Sequence, residues 1–118
     1  NEPPQINGDG TQAYDFIYVE DVARSNVCAL KATSTDEFYN VGSGVQTSIA
    51  ELCNLILELK QSDLQVTYRP YSEDDARRMV QNRIGCPEKA SRDLGFDYKY
   101  SLREGLLRLI EWRDGGGV

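Results

Sequence analysis

Two glycine-rich segments of this chain have the spacing of turns that bind the phosphates of a dinucleotide. Residues 8–13 spell G-x-G-x-x-A, and residues 42–47 read G-S-G-V-Q-T, without the third glycine. Such a turn must follow a strand and open a helix, so that helix N–H groups meet the pyrophosphate. The first segment follows a proline-rich stretch and leads into a predicted strand. The second is followed by Asp63, which precedes the next strand instead of ending it. We interpret both as turns and expect no cofactor site on them.

Side chains for nucleophilic or metal chemistry are scarce. The chain has no histidine, which excludes a Ser–His or Cys–His pair within it. Its three cysteines, Cys28, Cys53 and Cys86, lie far apart and form no C-x-x-C pair, so we expect no zinc site. Three separated cysteines suit a reducing cytoplasm, where we expect them to be small buried hydrophobic residues.

Length and charge limit the partners of the chain. Its 118 residues are enough for one domain, and 40% hydrophobic with 27% charged residues is typical of a soluble protein. No apolar run approaches the length of a membrane span. A net charge of −6 opposes a polyphosphate backbone. We therefore expect a soluble protein that binds neither nucleic acid nor membrane.

Runs of β-branched and aromatic residues predict three short strands. They are residues 16–19, 38–41 and 64–69. Asp9 and Gly10 predict a tight turn before the first strand. The charged residues 72–78 predict a surface loop.

Capping residues and apolar stripes predict four helices. The helices run from Asp21 as the N-cap to about Ala32, from Ser48 through a stripe that ends at Leu59, from Pro87 to Leu94, and from Ser101 through a stripe that ends at Ile110. Ser48 and Ser101 each have glutamate three residues later, which is the spacing of a capping box. The sequence therefore predicts mixed strands and helices.

Six motifs follow one another between Pro4 and about Trp112. They are G-D-G (8–10), D-F-I-Y-V-E-D-V (15–22), Y-N-V-G-S-G (39–44), S-I-A-E-L (48–52), K-A-x-x-x-L-G-F (89–96) and S-L-x-E-G-L (101–106). In this order they resemble the second half of NAD-dependent nucleotide-sugar epimerases and dehydratases of the extended short-chain dehydrogenase/reductase family, in particular enzymes like UDP-glucose 4-epimerase.

The resemblance implies an α/β fold, a small mixed domain that packs on a Rossmann half absent from this chain. It places the C-terminal, substrate-binding domain at residues 1–114, followed by a flexible glycine-rich tail at 115–118. NAD is then bound by the N-terminal Rossmann half, and no cofactor is expected on this segment. The parent enzyme is expected to be a cytoplasmic homodimer.

Catalysis in the family uses a Tyr-x-x-x-Lys pair, in which lysine lowers the pKa of the tyrosine. None of the seven tyrosines has lysine four residues later; the residues found there are Tyr18, Val22, Ser43, Ser72, Asp75, Leu102 and Glu104. We therefore expect catalysis by the longer enzyme and none by this segment alone.

The resemblance also indicates how a nucleotide-diphosphate sugar would be held. Gln5, Ile6 and Asn7 occupy the stretch that lies along the base. The arginine of the family's R-D-F motif, which contacts the diphosphate, is replaced here by Tyr14.

The resemblance also implies a second phosphate-binding arginine. In related decarboxylases it lies three residues before an aspartate, and Cys86 replaces that aspartate here. By the register of related decarboxylases it is Arg83, with Asp75 as a ribose contact. Arg69, Arg77 and Arg78 are the reserve candidates.

Other functions stay open at this point. The chain could be a free-standing nucleotide-sugar-binding or interaction module without catalysis, or a purely structural piece that completes the sheet of the missing half. Within the family, the base, the sugar and the choice among epimerase, dehydratase, decarboxylase and reductase are not determined.

Overall fold

A computed structural model describes residues 2–117. Within that range the fold is mixed α/β, as predicted. The elements in chain order are β1 (Gln5–Asn7), β2 (Ala13–Tyr14), α1 (Val19–Lys31), β3 (Thr47–Ser48), α2 (Ile49–Leu59), β4 (Thr67–Arg69), α3 (Glu73–Arg78), β5 (Asn82–Arg83), α4 (Glu88–Leu94) and α5 (Leu102–Asp114).

Contacts divide the chain into two units, each built from two separate stretches. Unit 1 comprises Asn1–Tyr14 and Gln46–Arg83, and unit 2 comprises Asp15–Val45 and Ile84–Val118. The predicted domain boundaries at residues 1–114 and the flexible tail at 115–118 stay predictions, and Asn1 and Val118 lie outside the described residues.

Unit 1 contains two small sheets. In the first, β1 pairs in parallel with β4, with Ile6 opposite Tyr68. In the second, β2 lies between β3, which is antiparallel to it, and β5, which is parallel. The core of this unit is small, since Ile6 and Ala13 are its buried hydrophobic residues within the described range.

Helix α2 begins where the capping box predicts. The Ser48 hydroxyl accepts from the Glu51 N–H at 3.1 Å, and the Glu51 carboxylate accepts from the Ser48 N–H at 2.7 Å. This reciprocal pair satisfies backbone donors that the first helical turn leaves without partners. The apolar stripe of α2, in contrast, is only half-buried along its length.

The turn after β1 depends on two glycines with positive φ, Gly8 at 84° and Gly10 at 78°. The Asp9 carboxylate accepts hydrogen bonds from the backbone and hydroxyl of Thr11, as the predicted turn requires. The ring of Tyr71 lies against the α-carbon of Gly8, so a β-carbon there would overlap the ring. Glycine is therefore required at position 8 for both its φ and its size.

Unit 2 is organised by the fully buried carboxylate of Asp21. It accepts hydrogen bonds from the backbone N–H groups of Lys99 at 3.0 Å and Tyr100 at 3.1 Å, and it pairs with Arg24 at 2.6 Å. The prediction that Asp21 caps α1 is therefore wrong. Its N-cap is Tyr18, so the helix begins three residues earlier than predicted, at Val19, and Asp21 ties its first turn to the segment that precedes α5.

Asp15 has a similar role in the same unit. Its carboxylate accepts from the Ser43 N–H and the Gly44 N–H, both at 2.9 Å, and from the Ser43 hydroxyl at 2.6 Å. The Gly85 N–H is a further donor at 3.3 Å. The carboxylate thus holds the Y-N-V-G-S-G turn in place.

Helices α4 and α5 agree closely with their predictions. Gly95 ends α4 in the left-handed conformation at φ 63°, although Pro87 is the residue before the helix and not its first residue. Ser101 and Glu104 form the predicted capping box of α5. Unit 2 buries Ala90 and Phe96, and Arg24 stacks on the Phe96 ring at 5.0 Å.

Two predicted strands are wrong and one is too long. Residues 16–18 and 38–41 form no strand, and the third strand covers only Thr67–Arg69. A β-rich run becomes a strand only where another strand lies beside it, and the described part of the chain pairs neither of the first two.

Residues 72–78 form a helix and not the predicted loop. Ser72 caps α3 by accepting from the Asp75 N–H at 3.1 Å, and acidic residues in the first turn with arginines in the last complement the helix dipole. The expectation of buried cysteines is also wrong, because Cys28 and Cys53 are half-buried and Cys86 is exposed. No helix within residues 2–117 has the length and apolar character needed to cross a membrane.

Replacing the buried carboxylate should destabilise the chain strongly. In Asp21→Asn, an amide faces N–H donors and Arg24 loses its counter-charge, so we expect the free energy of unfolding to fall by about 2–4 kcal/mol. Urea unfolding followed by circular dichroism measures this loss. Asp97→Asn, which changes an exposed carboxylate of the same unit, is the matched control. Equal losses in the two variants would contradict the assignment.

The same carboxylate predicts a loss of stability in acid. Burial raises the pKa of Asp21, but hydrogen bonds from Arg24 and the Tyr100 and Lys99 backbones outweigh it, so the pKa lies below its ordinary value of 3.8. The stabilisation is complete above pH 3.8 and is lost as the pH falls through the lowered pKa. Unfolding midpoints between pH 6 and pH 2 should therefore fall less steeply for Asp21→Asn than for the unmodified chain.

Gly8→Ala should destabilise the first turn. The positive φ costs about 1 kcal/mol, and displacement of the Tyr71 ring adds about 1–3 kcal/mol. In a Tyr71→Ala background only the first cost remains, so a double-mutant cycle by urea unfolding separates the two. An equal cost in both backgrounds would show that the ring does not lie against Gly8.

Candidate functional site

All six predicted site residues lie in unit 1. They are Gln5, Ile6, Asn7, Tyr14, Asp75 and Arg83. The first sheet places Asn7 beside Arg69, and the second places Tyr14 beside Arg83.

Strand β1 offers different groups at each of its positions. Gln5 is exposed, whereas the Ile6 side chain is buried in the core. The Asn7 amide oxygen accepts from Arg69 Nε, on the neighbouring strand β4. A ligand along β1 would therefore meet the backbone of Ile6, not its side chain, and one of the reserve arginines is already bonded to Asn7.

A groove of about 480 Å³ lies beside the turn that follows β1. It is lined by Gly8, Asp9, Tyr68, Arg69 and Pro70. The groove thus joins the end of β1 to the end of its partner strand, β4.

Tyr14 and Arg83 are cross-strand neighbours on β2 and β5. The Tyr14 hydroxyl donates to the Val80 carbonyl at 2.9 Å, so its proton is used within the chain. Among residues 2–117, the exposed Arg83 guanidinium forms no ion pair or hydrogen bond. The positive charge beside Tyr14 is therefore uncompensated.

Asp75 stabilises the start of α3. One carboxylate oxygen accepts from the Ser72 hydroxyl at 2.7 Å, while the same hydroxyl accepts from the Asp75 N–H. Of the other reserve arginines, Arg77 forms a long, exposed pair with Glu73 at 3.7 Å. Both contacts are local to α3, and the exposed ion pair of Arg77 is worth little in water.

Tyr71 is a site residue that the sequence analysis did not identify. Burial raises the pKa of its phenol, with smaller contributions from Tyr14, Asp9 and Asp75, so it lies among these groups. Its buried hydroxyl lies beside the buried side-chain oxygen of Gln12. The one available signal was its position directly after Pro70, at the end of β4.

The second glycine-rich turn already holds an anion, which belongs to the chain itself. The Ser43 and Gly44 N–H groups, which a phosphate would need, donate to the Asp15 carboxylate. These hydrogen bonds hold the pKa of Asp15 below its ordinary value, although burial acts in the opposite direction. No group of three histidine, cysteine or acidic side chains in residues 2–117 is arranged to hold a metal ion.

A family profile and two sequence relatives that match this chain belong to the epimerases and dehydratases. The profile of the NAD dependent epimerase/dehydratase family matches residues 1–42. A putative UDP-glucose 4-epimerase of Methanocaldococcus jannaschii is 34% identical over 95% of this chain and 34% of its own length. A UDP-glucuronate 4-epimerase of Thermodesulfobacterium geofontis is 31% identical over 94% of this chain and 33% of its own length.

Solved structures agree with these matches. The chain superimposes on the UDP-glucose 4-epimerase of Thermotoga maritima, solved with UDP-glucose, with a TM-score of 0.87 and 33% identity. The match covers 97% of this chain and 35% of that protein. An epimerase of Methanothermobacter thermautotrophicus gives a TM-score of 0.85 and 31% identity over 96% of this chain and 33% of its own.

This chain therefore spans about a third of the length of the relatives that it matches. The sequence relatives and the solved structures match nearly all of the chain, and the family profile matches residues 1–42. The chain is therefore similar, over nearly its whole length, to about a third of the length of the NAD-dependent epimerases/dehydratases of the extended short-chain dehydrogenase/reductase family.

Proposed function

We propose that this chain is the substrate-binding portion of an NAD-dependent nucleotide-sugar epimerase or dehydratase, most similar to the UDP-hexose 4-epimerases. The observation that carries the proposal is the uncompensated Arg83 on the strand next to Tyr14, in a fold that matches a 4-epimerase solved with UDP-glucose. Its ligand is a nucleotide-diphosphate sugar.

The charge of the chain supports this role for Arg83. The net charge is −6, so a diphosphate approaches an acidic molecule and needs a local cation. A guanidinium suits phosphate oxygens because its planar fork of donors forms two parallel charge-assisted hydrogen bonds. Asp9 and Asp75 lie near the site but are bonded to Thr11 and Ser72, which occupies part of each carboxylate.

The backbone of β1 and the groove beside it are suited to the base. Polar groups from Gln5 and Asn7 flank the buried Ile6, and Tyr68 offers an exposed aromatic ring for packing. Binding energy from these remote contacts would fix the position of the sugar relative to the catalytic groups. Asp75 is the ribose contact in this arrangement.

The chemical step belongs to the N-terminal Rossmann half in this proposal. When bound there, NAD supplies the hydride acceptor and donor for the sugar carbon, and the Tyr-x-x-x-Lys pair moves the proton. The residues of this chain bind and orient the nucleotide. The parent enzyme is proposed to be a cytoplasmic homodimer.

Exposed apolar residues of unit 2 support the existence of such a partner half. Val19 is 70% exposed, Leu30 is 86% exposed and Phe38 is 93% exposed. Large apolar side chains this exposed on one small unit are typical of a surface that another body covers. We propose that the N-terminal Rossmann half covers this surface, because the relatives are about three times as long as this chain.

Arg83→Ala in the intact enzyme should raise the KM for the nucleotide sugar by about 10- to 100-fold, since a charge-assisted hydrogen bond is lost. The dissociation constant for NAD should stay the same. Arg78→Ala, which removes the same charge from α3, is the control. An unchanged KM for Arg83→Ala, or a larger effect from Arg78→Ala, would overturn the assignment of the phosphate-binding arginine.

Leu30→Glu tests the covered surface. In the isolated chain, where Leu30 is 86% exposed, the substitution should change the free energy of unfolding by less than about 0.5 kcal/mol. In the intact enzyme it should cost about 2–4 kcal/mol, because a charge would be buried in the interface. Urea unfolding of both proteins measures the difference. A small effect in the intact enzyme would show that this face stays open to solvent.

A further inference from the structure

We propose that Tyr14 is a positioning residue, whose hydroxyl holds the connection that leads into β5 and thereby holds Arg83 in place. The inference rests on the proposed function, because it assigns Tyr14 a role only through the binding of a nucleotide diphosphate by Arg83. It differs from the expectation that Tyr14 itself contacts the diphosphate.

The first step is the contact made by the tyrosine hydroxyl. Tyr14 Oη donates to the Val80 carbonyl oxygen at 2.9 Å, across a sequence separation of 66 residues. Val80 lies in the connection between α3 and β5. A phenol has one proton to donate, so this contact uses the group that would otherwise reach a phosphate oxygen.

The second step is the register of the strands. Tyr14 pairs with Arg83 in the parallel alignment of β2 and β5, so the two residues share a face of the sheet. The Ala13 N–H donates to the Gln81 carbonyl at 2.8 Å, beside the Tyr14 bond to Val80. Two successive residues of β2 therefore bind two successive carbonyls just before Arg83.

The third step is the length of the strand that carries the charge. Strand β5 has only two residues, both exposed, and contributes no buried side chain. A strand this short has little stability of its own and depends on the contacts at its ends. The Tyr14 hydroxyl supplies one such contact at Val80, two residues before β5 begins.

The test uses the intact enzyme and four proteins: the unmodified enzyme, Tyr14→Phe, Arg83→Ala and the double variant. Tyr14→Phe keeps the ring and removes only the hydroxyl, so the KM for the nucleotide sugar should rise about 3- to 10-fold. The turnover number should change less than the KM. In the Arg83→Ala background, Tyr14→Phe should have no further effect on the KM.

A second measurement tests how firmly β5 is held. Amide hydrogen exchange of residues 81–83 should be about 3- to 10-fold faster in Tyr14→Phe than in the unmodified enzyme, because the hydroxyl no longer holds the preceding connection. Tyr98→Phe, which removes an exposed hydroxyl in unit 2, should leave both the KM and this exchange rate unchanged.

The outcomes separate this inference from the proposed function. Suppose that Arg83→Ala raises the KM, and that Tyr14→Phe raises the KM by the same factor in the unmodified enzyme and in Arg83→Ala. The tyrosine then acts independently of Arg83, so the inference about Tyr14 is overturned and the proposed function of Arg83 stands. An unchanged KM and exchange rate in Tyr14→Phe also overturn the inference. If Arg83→Ala leaves the KM unchanged, the proposed function of Arg83 fails and the inference fails with it.

Discussion

A buried carboxylate must accept hydrogen bonds from protein donors, and this requirement at Asp21 organises unit 2. Its oxygens receive the backbone N–H groups of Lys99 and Tyr100 and the guanidinium of Arg24. Without them the buried charge would cost several kcal/mol. The contact fixes the first turn of α1 against the chain that leads into α5. Tyr18, just before α1, lies against Gly105 of α5.

The first acid of the D-F-I-Y-V-E-D-V motif, Asp15, follows the same principle. Asp15 is the anion of the Gly42–Gly44 turn and occupies the N–H groups that a phosphate would use elsewhere. Asp15 and Asp21 of this motif therefore act as a scaffold: both bind backbone N–H groups, and neither is available to a ligand. The groups suited to a nucleotide lie instead in unit 1, on short strands whose side chains are more exposed.

Local signals predicted much of the helical structure, because capping is decided within four residues. Ser48 with Glu51 and Ser101 with Glu104 form their capping boxes as predicted, and Gly95 ends α4. The strands were harder, since residues 38–41 have strand composition but no neighbouring strand in the described chain. Likewise, the six site residues came from the resemblance, whereas Tyr71 depends on a contact with Gly8 that no local pattern records.

The sequence by itself indicated the family resemblance, the mixed α/β class and the starts of α2 and α5, because ordered motifs and capping residues act over short spans. Only the tertiary structure decided the roles of the side chains. From the sequence, Asp21 is predicted to be a helix cap, but in the structure it accepts hydrogen bonds from Lys99 and Tyr100. Tyr14 is predicted to contact the ligand, but its hydroxyl donates to the Val80 carbonyl. These partners are 66 to 79 residues away. A hydrogen bond depends on distance in space, and the sequence gives only distance along the chain.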